Sequence, residues 1–390
     1  MKRTKLLSIL IASALVLVML GGCGGGTQNA GGGSTAGSAA GSAGEIKIGL
    51  VAPMTGGSGS MGVSQQQGYE LAMAEINDAG GVSGRKITLT VYDDQGDPQT
   101  AASGAQKFAD DDSIIALGGS CNSSATLAMM PIVDNAGIPD LVVSSSSPQL
   151  TGSSEYFFRM SVQDAAVGPQ MAKALLDRGC KNVVVFYANN DYGVGLNDSF
   201  KTYLESNGGT VLSSLTYLTT DQDFTAQITT AKGMNPDAIA LCGTMGDCGL
   251  IIKQLDQNGF AEPVIGGTGL YNIKMIEIAG DASEDVLLIG VYISSNPDEK
   301  VQTLVSKYTA KYGNEPDGFA ALAYDQMYVI AEAAQAAIDA GGLTRESLKD
   351  ALKKTDYDGV TGRVSFNSDN DWVRDYLTLM VKDGNFVMAE

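Results

Sequence analysis

The sequence predicts an α/β fold with two doubly wound lobes. Short apolar runs alternate with helical segments in two successive series, and 390 residues are many for a single hydrophobic core. Strands that alternate with helices form mostly parallel sheets joined by right-handed crossovers. We therefore expect one mostly parallel sheet in each lobe.

The amino end is predicted to lie outside this fold. Three of the first five residues are basic, an apolar run spans Leu6–Leu20, and Leu20-Gly-Gly-Cys23 follows. The run is short for a membrane span and typical of a secretory signal, and its end is similar to the lipobox of bacterial lipoproteins. We expect a signal peptide over 1–22, a lipid on Cys23 and a flexible Gly/Ser tether over 23–44. The protein would be exported and lipid-anchored to the outer face of the cell membrane. An ordinary export signal is the alternative.

The first alternating series covers residues 46–160. Its predicted helices are Ser64–Asn77, Pro98–Ala109 and Ser123–Asn135. Its predicted strands are Ile46–Pro53, Lys86–Tyr92, Ile114–Gly118, Leu141–Val143 and Tyr156–Met160. The third of these strands ends in glycine before a group of capping residues, and the fourth ends in four serines.

A second series repeats this rhythm. Its predicted helices are Ala165–Arg178, Gly195–Ser206, Phe224–Lys232, Gly249–Asn258 and Ile273–Ala279. Its predicted strands are Val183–Tyr187, Thr210–Tyr217, Ala238–Cys242 and Val264–Gly266. We expect Val286–Tyr292 to return to the first lobe. Helices then follow at Lys300–Tyr312, Phe319–Asp339 and Thr344–Lys354, and β pieces at Val360–Phe366 and Tyr376–Val387.

Small polar side chains follow two neighbouring strands of the first series. Asn122 and Ser123 stand where a helix begins, and Ser144, Ser145 and Ser146 follow the next strand. Ligands of open α/β sheets bind outside the carboxyl ends of the strands, and a helix N-terminus offers free N–H groups and a positive dipole end. The sequence therefore predicts a pocket for a small carboxylate-bearing solute.

Composition argues against several other functions. The 44 acidic residues outnumber 25 basic ones, so a nucleic-acid partner is not expected. The chain has no histidine, which removes the usual general base and zinc ligand. A dinucleotide-binding fingerprint is formed by Gly57, Gly59 and Gly62, but its first glycine does not stand at the strand end. We therefore interpret this Gly/Ser loop as the rim of a cleft. Asp93 and Asp94 are interpreted as helix caps or backbone acceptors rather than metal ligands. We expect no enzymatic activity, cofactor or metal.

Short motifs occur in a consistent order over residues 45–390. They are Gly68-Tyr-Glu-Leu-Ala72 with Glu75-Ile-Asn77, Gly80-Gly-Val-Ser-Gly-Arg-Lys-Ile87, Asp93-Asp94 with Asp97-Pro98, Ala136-Gly-Ile-Pro139, Phe158-Arg159, Asp191-Tyr-Gly193, Asn235-Pro-Asp237, Tyr324-Asp325 and Asp358-Gly-Val-Thr-Gly362. In this order the chain resembles the Leu/Ile/Val-binding family of periplasmic-type solute-binding proteins, which serve ABC importers of branched-chain amino acids.

The resemblance implies the type I periplasmic binding protein fold, in which two doubly wound lobes joined by three crossovers close on a ligand by hinge motion. The crossovers are implied near Gln163, Val291 and Gly359. Lobe 1 would comprise residues 45–163 plus 292–358, and lobe 2 residues 164–291 plus 359–390. The implied partners are a small amino acid or related carboxylate and an integral-membrane ABC permease.

The family's ligand contacts fall on identifiable residues of this sequence. Asn122 takes the carboxylate-binding position, and Ser144 and Ser146 take the positions that receive an α-ammonium. The other implied contacts are Tyr192 as the closing aromatic of lobe 2, Thr244 at a further aromatic position, Met61 in place of an aromatic, and Thr268 in place of the acid that balances the ammonium.

Two departures from the family leave alternatives open. Thr268 carries no charge, so either the ligand lacks an ammonium or Asp247 supplies the charge; Asp247 is equally well explained as a helix N-terminal acid. Gly96 replaces a cysteine that some relatives pair with the equivalent of Cys121. The sequence leaves open the pairing of Cys121, Cys180, Cys242 and Cys248. The alternative functions are a sensor component or a binder of a non-amino-acid carboxylate or amide.

Overall fold

The computed structural model describes residues 44–389. The strands of the first sheet are β1 (Ile46–Ala52), β2 (Ile87–Asp93), β3 (Ile114–Gly119), β4 (Asp140–Val142) and β5 (Phe157–Arg159). They are parallel and lie in the order β2-β1-β3-β4-β5. This order is that of a doubly wound sheet, in which a crevice opens at the carboxyl ends of β1 and β3. The predicted signal peptide, Cys23 and nearly all of the predicted tether lie outside the described residues.

Helices cover both faces of this sheet, because successive strand side chains point to opposite faces. The helices are α1 (Gly59–Asp78), α2 (Pro98–Ala109) and α3 (Ser123–Ala136). Leu50 belongs to the same buried cluster as Tyr69 of α1, whereas Val51 belongs to the cluster of Phe108 and Met129 from α2 and α3. The apolar runs of the sequence are therefore strands buried on both sides.

A second sheet repeats the winding of the first. Its parallel strands are β6 (Asn182–Ala188), β7 (Thr210–Tyr217), β8 (Ala238–Cys242), β9 (Val264–Gly266) and β10 (Leu287–Gly290). A small hairpin, β11 (Tyr357–Gly359) and β12 (Gly362–Val364), precedes the antiparallel strands β13 (Leu377–Lys382) and β14 (Asn385–Met388). The order is β14-β13-β10-β9-β8-β6-β7. Both sheets thus confirm the predicted α/β fold class.

The expectation that Val286–Tyr292 returns to the first lobe is wrong. β10 pairs in parallel with β9 and antiparallel with β13, so it is part of the second sheet. Read from its other edge, the second sheet has the order β7-β6-β8-β9-β10, so β10 occupies the position that β5 has in the first sheet. An apolar run of this kind can be buried in either sheet, and only its pairing partners decide which one.

Eight further α-helices within residues 44–389 pack around the two sheets. They are α4 (Asp164–Asp177), α5 (Asp191–Ser206), α6 (Thr225–Met234), α7 (Met245–Gln257), α8 (Ile273–Ala279), α9 (Glu299–Tyr312), α10 (Gly318–Asp339) and α11 (Arg345–Leu352). The last three return to the first sheet: Tyr308 donates to Gln67 of α1, the Ser64 hydroxyl donates to Asp317 before α10, and Arg345 donates to the Ile114 carbonyl. Within residues 44–389 no helix combines the length and hydropathy needed to cross a bilayer.

We call the first sheet with α1–α3 and α9–α11 lobe 1, and the second sheet with α4–α8 lobe 2. We propose lobe boundaries at residues 163, 291 and 358, where the chain passes between the two sheets. α5 and α7 each begin four residues before the predicted start. Asn190 caps α5 by accepting the Gly193 N–H at 2.8 Å. The first turns of both helices therefore reach further toward lobe 1 than the sequence indicated.

Candidate functional site

A cleft of about 810 Å³ takes residues from both lobes. Its walls are built by the segments that follow the carboxyl ends of strands in the two sheets, where doubly wound folds bind ligands. The predicted residues that line it are Met61, Asn122, Ser123, Ser144, Tyr192, Thr244, Asp247 and Thr268. Ser145 and Ser146 are fully buried and do not line the cleft.

The lobe 1 wall contains the N-terminus of α3. Asn122 is the N-cap residue, and its side chain makes no capping hydrogen bond. Its Nδ2 instead donates to the Ser58 hydroxyl at 3.1 Å, which fixes the amide against the loop after β1. The N–H groups in the first turn of a helix have no intrahelical acceptor. This wall can therefore accept a carboxylate through backbone donors and the helix dipole.

The four serines after β4 have different environments. Ser144 lines the cleft and donates to the Cys121 carbonyl at 2.9 Å. Ser145 donates to the Ser120 carbonyl at 2.8 Å and pairs with the Thr126 hydroxyl, so its role is to tie β4 to α3. The Ser147 N–H donates to the Ser123 hydroxyl at 3.2 Å. Only Ser144 among the four presents its surface to the cleft.

Tyr192 and Thr268 lie together on the lobe 2 wall. Tyr192 is in the first turn of α5 and is mostly buried. Its hydroxyl accepts the Gly269 N–H at 3.2 Å, which joins α5 to the turn after β9. Burial raises the pKa of the Tyr192 phenol well above its ordinary value, so the ring stays neutral. Thr268 begins this turn and lines the cleft.

Asp247 is a buried acidic residue on the same wall. Its Oδ1 accepts the Thr244 N–H at 3.1 Å and the Thr244 hydroxyl at 2.7 Å, and its Oδ2 accepts the Tyr217 hydroxyl. These contacts fit a capping residue at the start of α7. Burial raises the pKa of the Asp247 carboxyl, although the hydrogen bonds act in the opposite direction.

Direct hydrogen bonds join the two lobes beside the cleft. The Asp191 N–H at the start of α5 donates to the Ser124 hydroxyl in α3 at 3.1 Å. Gln149 of lobe 1 donates to Asp191 Oδ1, also at 3.1 Å. A Cβ added to Gly246 would lie 2.9 Å from the Gly57 carbonyl oxygen. The lobes therefore approach each other at more than one point beside the cleft.

Several lining residues did not stand out in the sequence. Gln95 and the segment around Thr219 and Thr220 contribute polar surface, while Leu250 and Phe319 contribute apolar surface. Phe319 belongs to α10, which is far from the other lining residues in sequence. Only its packing against α1 brings it here. Polar loop residues after β2 and β7 could have been found by the same rule that found Asn122.

Neither metal clusters nor disulfides occur in the described part of the chain. No group of three or more His, Cys, Asp or Glu residues there has the arrangement of a metal site. Cys121, Cys180, Cys242 and Cys248 are free and buried. Burial also raises the pKa of the Cys121 thiol. Asp97 accepts the Thr100 N–H at 2.8 Å and so caps α2.

The two sheets and the cleft between them define the class of two-lobed solute-binding proteins. Residues 45–385 match the family model described as periplasmic binding protein. The chain belongs to this family. A leucine-, isoleucine-, valine-, threonine- and alanine-binding protein from Pseudomonas aeruginosa is 30% identical, over 84% of this chain and 87% of that protein. The resemblance to Leu/Ile/Val-binding proteins is confirmed.

Solved structures show the same fold with different ligands. A branched-chain amino acid transporter substrate-binding protein from Streptococcus pneumoniae, in complex with isoleucine, aligns with a TM-score of 0.82 and 30% identity, over 88% of this chain and 97% of that one. An ABC transporter solute-binding protein from Rhodopseudomonas palustris, in complex with 3,4-dihydroxybenzoic acid, aligns with a TM-score of 0.80 and 25% identity, over 88% and 95%. Both support a type I periplasmic binding protein fold.

Proposed function

We propose that this chain is the extracytoplasmic receptor of an ABC importer. It captures a small carboxylate-bearing solute, a branched-chain or related amino acid, between its lobes by hinge closure. The observation that carries this proposal is the N-terminus of α3 on the cleft wall, where Asn122 and the backbone N–H groups can hold a carboxylate. The amino-acid ligands named for the Pseudomonas and Streptococcus relatives support it. The solute would leave chemically unchanged and pass to an integral-membrane permease.

The test is to identify what the purified protein binds. Ligand released by denaturing gently purified protein is identified by mass spectrometry, and stripped protein is then titrated with leucine, isoleucine and valine by calorimetry. We expect an amino acid among the released compounds and saturable binding of at least one of the three. Recovery of a compound without a carboxylate, together with no binding of the three amino acids, would reject the proposal.

We also propose lipid attachment at Cys23, from the apolar run and the residues that precede it. Cys23→Ser should move the protein from the membrane to the soluble fraction, because acyl chains supply the membrane affinity. Cys180→Ser, which changes a buried cysteine of lobe 2, should leave the wild-type distribution unchanged. Equal membrane fractions for the Cys23 variant and wild type would contradict lipidation.

A further inference from the structure

The charged side chains that line the cleft are both acidic. Within residues 44–389 they are Asp191 and Asp247, and no lysine or arginine lines the cleft. Asp191 is half-buried and accepts a hydrogen bond from the side chain of Gln149 in lobe 1. Asp247 is only 5% exposed, and the groups that face it are the hydroxyls of Thr244 and Tyr217 and the Cys248 thiol. Burying a carboxylate without a cation beside it is costly. Over residues 44–389 the lobe 2 wall therefore lacks a positive charge that would balance Asp247.

Asp247 lies close to the wall that can hold a carboxylate. Its neighbour Gly246 faces the Gly57 carbonyl, and the next residue along that loop, Ser58, accepts the Asn122 amide at 3.1 Å. The carboxylate wall of lobe 1 and the acidic wall of lobe 2 therefore meet at this end of the cleft. A small solute with opposite charges at neighbouring atoms can contact both walls at once.

We propose that Asp247 is the specificity-determining counter-charge for a positively charged amino group of the ligand. The inference rests on the proposed function and narrows it: the cleft selects zwitterionic amino acids over carboxylates of the same shape that lack the amino group. The donors to the Asp247 carboxyl are the Tyr217 hydroxyl, the Thr244 hydroxyl and N–H, and its own backbone N–H, and all of these groups are neutral. Because no cation among the described residues lines the cleft, a positive charge beside Asp247 has to come from the ligand. An anionic ligand would instead add negative charge to a cleft whose charged lining residues, in the described part of the chain, are both acidic.

An aspartate that only caps α7 would not need to be buried in the cleft lining, as Asp247 is. Asp298 accepts the Lys300 N–H at 2.8 Å to cap α9 and does so from an exposed position. Asp247 combines its capping contact with burial, a tyrosine hydroxyl on its other oxygen and a place in the cleft lining. Thr244 stands where the family resemblance implies an aromatic residue. Threonine is smaller, which leaves room beside the carboxylate.

The experiment compares L-leucine with its 2-keto analogue, 4-methyl-2-oxopentanoate. The analogue has the same carbon skeleton and carboxylate, but a ketone stands where leucine carries the ammonium. Calorimetric titration at pH 7 gives the ratio of the two Kd values for stripped full-length wild type, Asp247→Asn and the matched capping control Asp298→Asn. We expect wild type and the control to prefer leucine by roughly tenfold or more, the range of a charge-assisted hydrogen bond. Asp247→Asn keeps a capping side chain but should lose that preference.

Each outcome has a distinct meaning. Asp247→Asn with a ratio within twofold of wild type overturns the counter-charge while leaving the proposed function in place. Wild type that binds the keto acid as tightly as leucine also overturns it, and this result does not depend on the variant folding. Wild type that binds neither leucine, isoleucine nor valine rejects the amino-acid function and this inference together. Asp247→Glu retains the charge and should retain the preference, which separates charge from shape.

Discussion

Arg159 and Asp371 form an ion pair in which neither side chain is exposed, with 2.7 Å between Nε and Oδ1. Arg159 ends β5, and Asp371 lies between β12 and β13. Gln163 donates to the other Asp371 oxygen at 2.7 Å, and the Trp372 N–H donates to the Arg159 carbonyl at 3.0 Å. A buried polar network therefore joins the end of β5 to the segment between β12 and β13.

Asp371→Ala should destabilise the protein strongly, because it leaves the Arg159 guanidinium buried without its counter-charge. We expect the free energy of unfolding to fall by about 3–5 kcal/mol, measured by urea denaturation. Asp369→Ala, two residues earlier and exposed, is the control and should change it by less than about 0.5 kcal/mol. A loss below about 1 kcal/mol for Asp371→Ala would show that the pair is not a major contributor to stability.

Asp164 should make stability depend on pH. It begins α4 and is fully buried beside the Ser146 hydroxyl and Arg159, and burial raises its pKa from 3.8 to about 8. Between these values the folded chain holds a proton that the unfolded chain releases, so stability should fall as pH rises from about 4 to 8 and level off above. The slope has an upper limit of about 1.4 kcal/mol per pH unit.

Asp164→Asn removes this titration, so its stability relative to wild type should rise with pH. Urea denaturation at several pH values from 5 to 9 measures the difference. Asp78→Asn, at an exposed acid that ends α1, controls for general charge effects. A constant difference between Asp164→Asn and wild type over this range would mean that Asp164 does not hold the proton.

The hydrogen bonds between the lobes should set how long a ligand remains bound. Ser124→Ala combined with Gln149→Ala removes both Asp191 contacts. At about 1 kcal/mol for each bond, leucine affinity should fall by roughly ten- to thirtyfold, mainly through faster dissociation in stopped-flow measurements. Gln99→Ala with Ser103→Ala on the surface of α2 is the matched control. Dissociation rates equal to those of the control would mean that these bonds do not hold the closed form.

Asn122 and Ser144 should both contribute to carboxylate binding. The double change to alanine removes the cleft-lining side chains at the ends of β3 and β4, and we expect calorimetry to show leucine affinity reduced by roughly tenfold or more. Ser146→Ala is the matched control, because that hydroxyl is buried outside the cleft lining. Equal losses for the control and the double variant would place the carboxylate elsewhere.

The sequence by itself determined the class of fold and the general position of the site. Short apolar runs that alternate with helical segments predict mostly parallel sheets, because this alternation can be read from neighbouring residues alone. Polar residues directly after such runs must lie at the carboxyl edge of a sheet, which is why Asn122 and Ser144 could be predicted to line a cleft. The family resemblance added lobe 2 residues such as Tyr192 and Thr268.

Tertiary structure decided the features that depend on partners distant in sequence. Arg159 and Asp371 are 212 residues apart, and Tyr217 and Asp247 come from different strand ends. No local pattern encodes such pairs, nor the choice of sheet for β10. The adjacent residues Ser144 and Ser145 have the same side chain, but the backbone directs one to the cleft and the other to Ser120. Side-chain direction follows from backbone geometry and packing, which exist only once the two lobes have folded.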